Sequence, residues 1–136
     1  MIKWNNLNTL SSFENLSKVE RVKLAEVMSG ENGADRVKKY TIPMAAGLSY
    51  NYAAKQVDDD VLEALTKLAE EAQLAEKFEA LYNGEVINTG EKRLVLHHMT
   101  RGQLGEAVEA DGVDKRTFYT EQQKKIADFA NKVHAG

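Results

Sequence analysis

Asp58-Asp59-Asp60-Val61-Leu62-Glu63-Ala64-Leu65-Thr66-Lys67-Leu68-Ala69-Glu70-Glu71-Ala72-Gln73-Leu74-Ala75-Glu76-Lys77-Phe78-Glu79-Ala80-Leu81-Tyr82-Asn83-Gly84 carries the strongest periodicity in the chain. Val61, Leu65, Leu68, Ala72, Ala75, Phe78 or Glu79, and Tyr82 recur three and four apart, which places them on one face of a helix. The three aspartates suit the positive end of a helix dipole, and Asn83-Gly84 supplies a helix stop. Leu62, Leu74 and Leu81 widen the stripe, so the segment reads either as one helix or as two with a break near Gln73-Leu74.

On the C-terminal side, a polar turn over Gly84 to Glu91 leads into Arg93-Leu94-Val95-Leu96-His97-His98-Met99, a run too short to type by period. It fits a helical turn or a buried strand. Tyr119, Gln122, Ile126, Phe129 and Val133 mark a last helix from about Thr117 to His134.

On the N-terminal side, Tyr40, Ile42 and Met44 alternate with Thr41 and Pro43, and the alternation resumes at Leu48, Tyr50 and Tyr52. That pattern predicts a β-hairpin whose connection uses the conformational freedom of Gly47, with Pro43 at an edge or a bulge because it has no amide to donate. Earlier still, Ser11 with Glu14 and Ser17 with Glu20 are two overlapping capping signals, so a helix should begin at one of them. The imperfect apolar stripe of Val19, Val22 or Lys23, Ala25 or Glu26, and Val27-Met28, with Gly30 as a stop, predicts that helix near 18–29. The fold class expected is mainly α with one β-hairpin.

The chain has 136 residues, which is about one domain. Lys+Arg 18 against Asp+Glu 21 leaves a net charge of −3 with the signs interspersed, which disfavours a nucleic-acid partner. Without cysteine there is no disulfide, thiolate metal site or thiol nucleophile, and the chain reads as cytoplasmic. No apolar run reaches the ~20 residues that span a bilayer, and Met1-Ile2-Lys3-Trp4-Asn5-Asn6 is too polar to open a signal peptide, so no membrane partner is expected.

Residues that carry chemistry are few. His97-His98 point in different directions on any regular element and cannot chelate one ion from one face, so one ring is expected inside and the other exposed. His134 suits the negative end of the last helix. Asp58-Asp59-Asp60 lacks the pattern of a calcium loop and reads as a helix cap. Glu70, Glu71 and Glu76 read as a solvated face, with nothing to retune a carboxyl toward acid–base work. Glycine-rich phosphate cradles are missing, and Thr100-Arg101-Gly102-Gln103 is a loop in which Arg101 either pins the backbone or meets an anion. The residues alone therefore describe a helical unit without a complete active site; no metal or cofactor is expected.

One stretch says more. Phe78 to His97, continued to Arg101, contains Asn83-Gly84-Glu85, Ile87-Asn88, Glu91, Arg93, Val95-Leu96-His97 and Arg101. It resembles the N-terminal part of the glucose-6-phosphate isomerase (phosphoglucose isomerase) family, whose pattern is Asn-Gly-Glu-x-Ile-Asn, a Thr-Glu spacer, then Arg-x-Val-Leu-His followed shortly by Arg. Eleven of the nineteen positions from 83 to 101 agree. Leu94 departs from a common Ala, and His98-Met99-Thr100 from a more apolar run, as in a divergent branch. The resemblance covers 38–136 and is weaker over 1–37.

The resemblance implies that 1–136 is a single N-terminal segment of an α/β sugar-isomerase (SIS-type) fold. The parent would be a cytoplasmic glycolytic and gluconeogenic aldose-ketose isomerase, a cofactor-free homodimer. Its family binds a sugar phosphate through a Ser/Thr-rich loop with a Lys, opens the ring with a His and a Lys, and moves a proton between C2 and C1 with a Glu through a cis-enediol(ate). All of these residues are expected beyond residue 136, so the segment alone should be inactive and should have the rest of the enzyme as its partner. Asn83, Gly84, Glu85, Arg93, His97 and Arg101 would then be structural anchors around the loop after the long helix. The competing expectation is a non-catalytic helical interaction module of shared ancestry. A self-sufficient small isomerase is disfavoured because no base, phosphate loop and oxyanion donors assemble from these motifs.

Overall fold

The computed structural model describes residues 1–29, 32–102 and 105–136. The chain divides into two compact units, one formed by Asn5–Ala72 and the other by Met1–Trp4 with Gln73–Gly136.

In the first unit the elements are α1 (Ser11–Lys18), α2 (Leu24–Val27), α3 (Asn32–Lys39), β1 (Thr41–Pro43), β2 (Ser49–Asn51) and α4 (Asp59–Glu71). Where a helix near 18–29 was expected, the chain is helical before it, then extended, then helical for four residues only. The cause lies sixty positions away in sequence. Glu71 at the end of α4 accepts from the amides of Ser11 (3.4 Å) and Ser12 (2.8 Å) and from the Ser11 hydroxyl, so a distant carboxylate caps α1 in place of a local capping box. Ser17, the alternative cap, donates its hydroxyl to the Glu14 carbonyl inside α1. The expected stop at Gly30 lies outside the described residues.

β1 and β2 form the predicted hairpin, antiparallel with Ile42 opposite Tyr50 and Pro43 opposite Ser49. Gly47 has φ +72° and Ala46 shares the left-handed region at φ 57°, which turns the chain at the tip. Arg36 of α3 lies over the Tyr40 ring and donates to the carbonyls of Ala53, Lys55 and Val57, holding the strand that leaves the hairpin. α4 starts where expected, with Asp58 as its cap, accepting from the Val61 amide at 2.9 Å. Val61, Tyr40, Ala53 and Ala72 are the buried apolar residues of this unit.

The long periodic stretch is two helices. Gln73 adopts φ 53°, ψ 47°, a left-handed residue that ends α4 before α5 (Leu74–Tyr82) begins. This break also changes the buried face: the continued stripe puts Phe78 or Glu79 inside, yet both are exposed and Ala80 is buried. The Gln73 side chain accepts from the Lys3 amide at 2.8 Å, and Lys77 sits over the Trp4 ring, which fastens the N-terminal residues to this second unit.

The rest of that unit comprises a 3-10 turn at His97–Thr100, then β3 (Glu109–Ala110), β4 (Val113–Asp114) and α6 (Lys115–Ala135). The run from Arg93 to Met99 therefore ends in a helical turn, and its fully buried residue is Met99. β3 and β4 make a second small antiparallel ladder, turned by Asp111 (φ 55°) and Gly112 (φ 71°). The last helix begins two residues before the expected Thr117, because Asp114 caps it through the amides of Arg116 and Thr117 and the Thr117 hydroxyl. Among the described residues no helix is long and apolar enough to cross a membrane.

Candidate functional site

The motif residues gather where α5 ends. Glu85 N–H donates to the Ala80 carbonyl (2.9 Å) and Gly84 N–H to the Leu81 carbonyl (3.3 Å), the paired bonds of a Schellman stop with Gly84 at φ +70°. A side chain at 84 would also collide with Val108, whose Cγ1 lies 2.2 Å from an ideal Cβ. Both the turn and the close approach require glycine.

Beyond it, Asn88 and Arg93 bridge through their backbones, N–H to O, at 3.3 and 3.2 Å. The Asn88 side chain accepts from the Glu91 amide and donates to its carboxylate, closing the turn that the Ile87-Asn88…Glu91…Arg93 spacing encodes. The guanidinium of Arg93 is exposed and only 3.8 Å from Glu91, so it is the main chain of Arg93 that makes the tie in this structure.

His97 is exposed, and its carbonyl accepts from the Thr100 hydroxyl at 2.8 Å. His98 turns inward, with its ring 4.8 Å from that of Tyr82 and both ring nitrogens shielded without a hydrogen-bond partner among the described residues. The pair thus divides as expected, one ring packed and one exposed. Phe78, Leu81 and Tyr82 of α5 with His97, His98, Arg101 and Gly102 line an open cleft of about 310 Å³. Arg101 is exposed there. Gln103, which the sequence grouped with it, lies outside the described residues.

The residue that joins these pieces was not among the motif candidates. Arg116 of α6 is 7% exposed; its guanidinium donates to the carbonyl of Tyr82 at 2.6 Å and to that of Glu106. It therefore ties the end of α5 to the start of α6, and Gly105 (φ +97°) leaves room for it, since an ideal Cβ there would stand 2.7 Å from Nη2. Gln123 adds a second tie, donating to the Thr100 carbonyl at 2.6 Å. No local pattern announces Arg116, because its partner carbonyls come from the end of α5 and from the loop at Glu106. Its neighbour Asp114 has a readable signal, a capping Asp just before an apolar-periodic run.

Other carboxylates of the chain cap helices or pair with lysines. Glu71, read as a solvated residue, has its carboxyl held below the usual range by the facing Ser12 hydroxyl and amide and then by Ser11. Asp114 is held low chiefly by the Thr117 hydroxyl, and Asp59 by the Lys39 ammonium, 2.6 Å away. None is raised, as a general acid at neutral pH would need. Among the described residues no three His, Cys, Asp or Glu side chains converge on a metal-sized site.

The geometry thus defines a class: a mainly helical α+β segment whose shared motif builds turns and helix ends. A family model described as phosphoglucose isomerase matches residues 51–136. The glucose-6-phosphate isomerase of Treponema denticola is 48% identical over 140 residues, covering 99% of this chain and 27% of that protein. That of Treponema pallidum (strain Nichols) is 39% identical, covering 99% and 26%. The crystal structure of a glucose-6-phosphate isomerase from Chlamydia trachomatis superposes with a TM-score of 0.70 at 27% identity, over 92% of this chain and 25% of that one. The chain belongs to the phosphoglucose isomerase family. It spans about a quarter of the length of the curated relatives it matches, and the match takes in the N-terminal residues where the motif resemblance was weak.

Proposed function

We propose that this chain is the N-terminal portion of a cytoplasmic glucose-6-phosphate isomerase, and that it supplies structure to that enzyme without supplying its chemistry. The observation that carries the reading is the alignment of 99% of the chain with about a quarter of each of the two Treponema isomerases. The parent interconverts glucose 6-phosphate and fructose 6-phosphate by proton transfer between C1 and C2 through an enediol(ate), without a cofactor. That chemistry needs a base over the carbon acid and donors aimed at the enediolate oxygens. The carboxylates and the guanidinium that are held most firmly here are committed otherwise: Glu71 and Asp114 to helix amides, Arg116 to backbone carbonyls. The chain alone is therefore inactive, and Asn83, Gly84, Glu85, Arg93, His97 and Arg101 serve as anchors of the loop after α5. The parent is a homodimer that binds the sugar phosphate through residues outside this segment.

A coupled assay of fructose 6-phosphate conversion tests this reading, run on the purified chain and on the chain combined with the rest of a parent enzyme. Activity in the combination alone is the expected result. Turnover by the chain alone overturns it.

A further inference from the structure

α6 is fastened at one end and bare at the other. Its first turns carry Asp114 as cap, buried Arg116, half-buried Tyr119 and the Gln123 tie to Thr100. At 100° per residue, Phe118, Ile126, Phe129 and Val133 share a face with Gln122 at its centre, and that face adjoins the one that carries Arg116 and Gln123. They are 43, 68, 70 and 63% exposed. Four large apolar side chains in register along one helix are more than scattered surface residues, and such a stripe marks an interaction face. Lys125 and Lys132 border its Phe118–Phe129 edge together with Glu121, which leaves that edge net positive, while Lys124 and Asp128 occupy the far side of the helix.

We propose that this stripe is the face on which the remaining polypeptide of the parent isomerase packs, presenting an apolar strip rimmed by carboxylates opposite Lys125 and Lys132. The inference rests on the reading of the chain as a segment of that enzyme. It names the occupant from two observations: about three-quarters of each relative lies outside the matched stretch, and the stripe has a basic border that a carboxylate rim complements. A second copy of the chain would bring Lys125 and Lys132 of both helices to the same interface, which like charges oppose.

The test is co-expression of the tagged 136-residue chain with the remainder of the Treponema denticola isomerase, followed by affinity recovery and the isomerase assay. The unmodified chain recovers the remainder. Ile126→Glu with Phe129→Glu lowers recovery about tenfold, as for residues central to an interface, and Lys124→Glu leaves it unchanged. The isolated variant keeps its far-UV circular dichroism; should it lose helix, Val133→Glu, near the exposed end, carries the comparison. Recovery of the remainder in full by the stripe variants overturns the inference, as does no recovery by the unmodified chain. Stripe-dependent dimers of the chain alone, or stripe-dependent binding to anionic phospholipid vesicles, overturn it too, since they give the face a different occupant. Full recovery by Lys125→Glu with Lys132→Glu overturns the carboxylate rim. A recovered pair without isomerase activity counts against the functional reading instead and leaves the docking face standing.

Discussion

Arg116 and Arg93 are both arginines of the second unit, and their surroundings predict opposite consequences for removing them. Arg116→Ala deletes a buried fork that two carbonyls depend on, and should cost about 2–4 kcal/mol in urea unfolding. Arg116→Lys should recover only part of that loss, because a single ammonium does not reproduce the planar geometry of a guanidinium. Arg93→Ala removes an exposed side chain 3.8 Å from its carboxylate, and should change stability by no more than ~0.5 kcal/mol in the isolated chain. In the full-length parent the same substitution should lower the melting temperature more than the turnover number. A large loss of turnover at an unchanged melting temperature would overturn its role as an anchor. Gly84→Ala meets both Val108 and a left-handed backbone, and should cost at least ~2 kcal/mol by the same unfolding measurement.

Among the elements, the caps decide boundaries and pH dependence. Glu71 is held below its ordinary value of 4.5 when folded, so its contribution to stability is present above that value and is lost as pH falls through the lower folded value. Thermal melting from pH 7 down to pH 3 should therefore show a drop at the acid end. Glu71→Gln should be less stable near neutrality and should lose less on acidification. At the break between α4 and α5, Gln73→Gly should relieve the left-handed strain, a gain of up to ~1 kcal/mol in unfolding free energy, and keep the two-helix arrangement. If the variant instead gains helical signal, Gln73 is not what stops α4.

The same elements show what a sequence can and cannot disclose. The helical character of Asp58 to Gly84 is legible because its cap, period and stop are all local, and so is the hairpin around Gly47, whereas the left-handed Gln73 and the face it resets onto Ala80 are not. α1 is not, since the carboxylate that caps it arrives from Glu71, and local Ser–Glu spacings compete for attention without forming the cap. β3 and β4 are too short for alternation to register, although Asp111-Gly112 is a strong two-residue hairpin signal. In the motif region the turn and helix stop are encoded by Asn83-Gly84 and Asn88…Arg93. The tie through Arg116 depends on a contact thirty-four positions apart and has no local signature.

At the scale of the whole molecule, the short inventory of buried apolar residues among those described, Tyr40, Ala53, Val61, Ala72, Ala80, Met99 and Val108, stands against a long one of exposed apolar side chains. Such a chain should bind an apolar fluorescent dye under native conditions, with the signal falling when the rest of the isomerase is supplied. Dye binding that is absent from the outset would favour the independent interaction module. Hydrogen exchange should divide along α6: slow amides near Arg116, within the tied part of the helix, and faster ones beyond Asn131, where every side chain is exposed.

The tip of the β1–β2 hairpin has a practical use. Ala45 to Gly47 are exposed, the Met44 amide bonds the Leu48 carbonyl just below them, and nothing lies within 4 Å of where a Gly47 side chain would project. A short epitope spliced between Ala46 and Gly47 would enter at a closed loop end, the kind of position where inserted residues are best tolerated. The chain could then be immobilised on a sensor by this loop and not by either terminus.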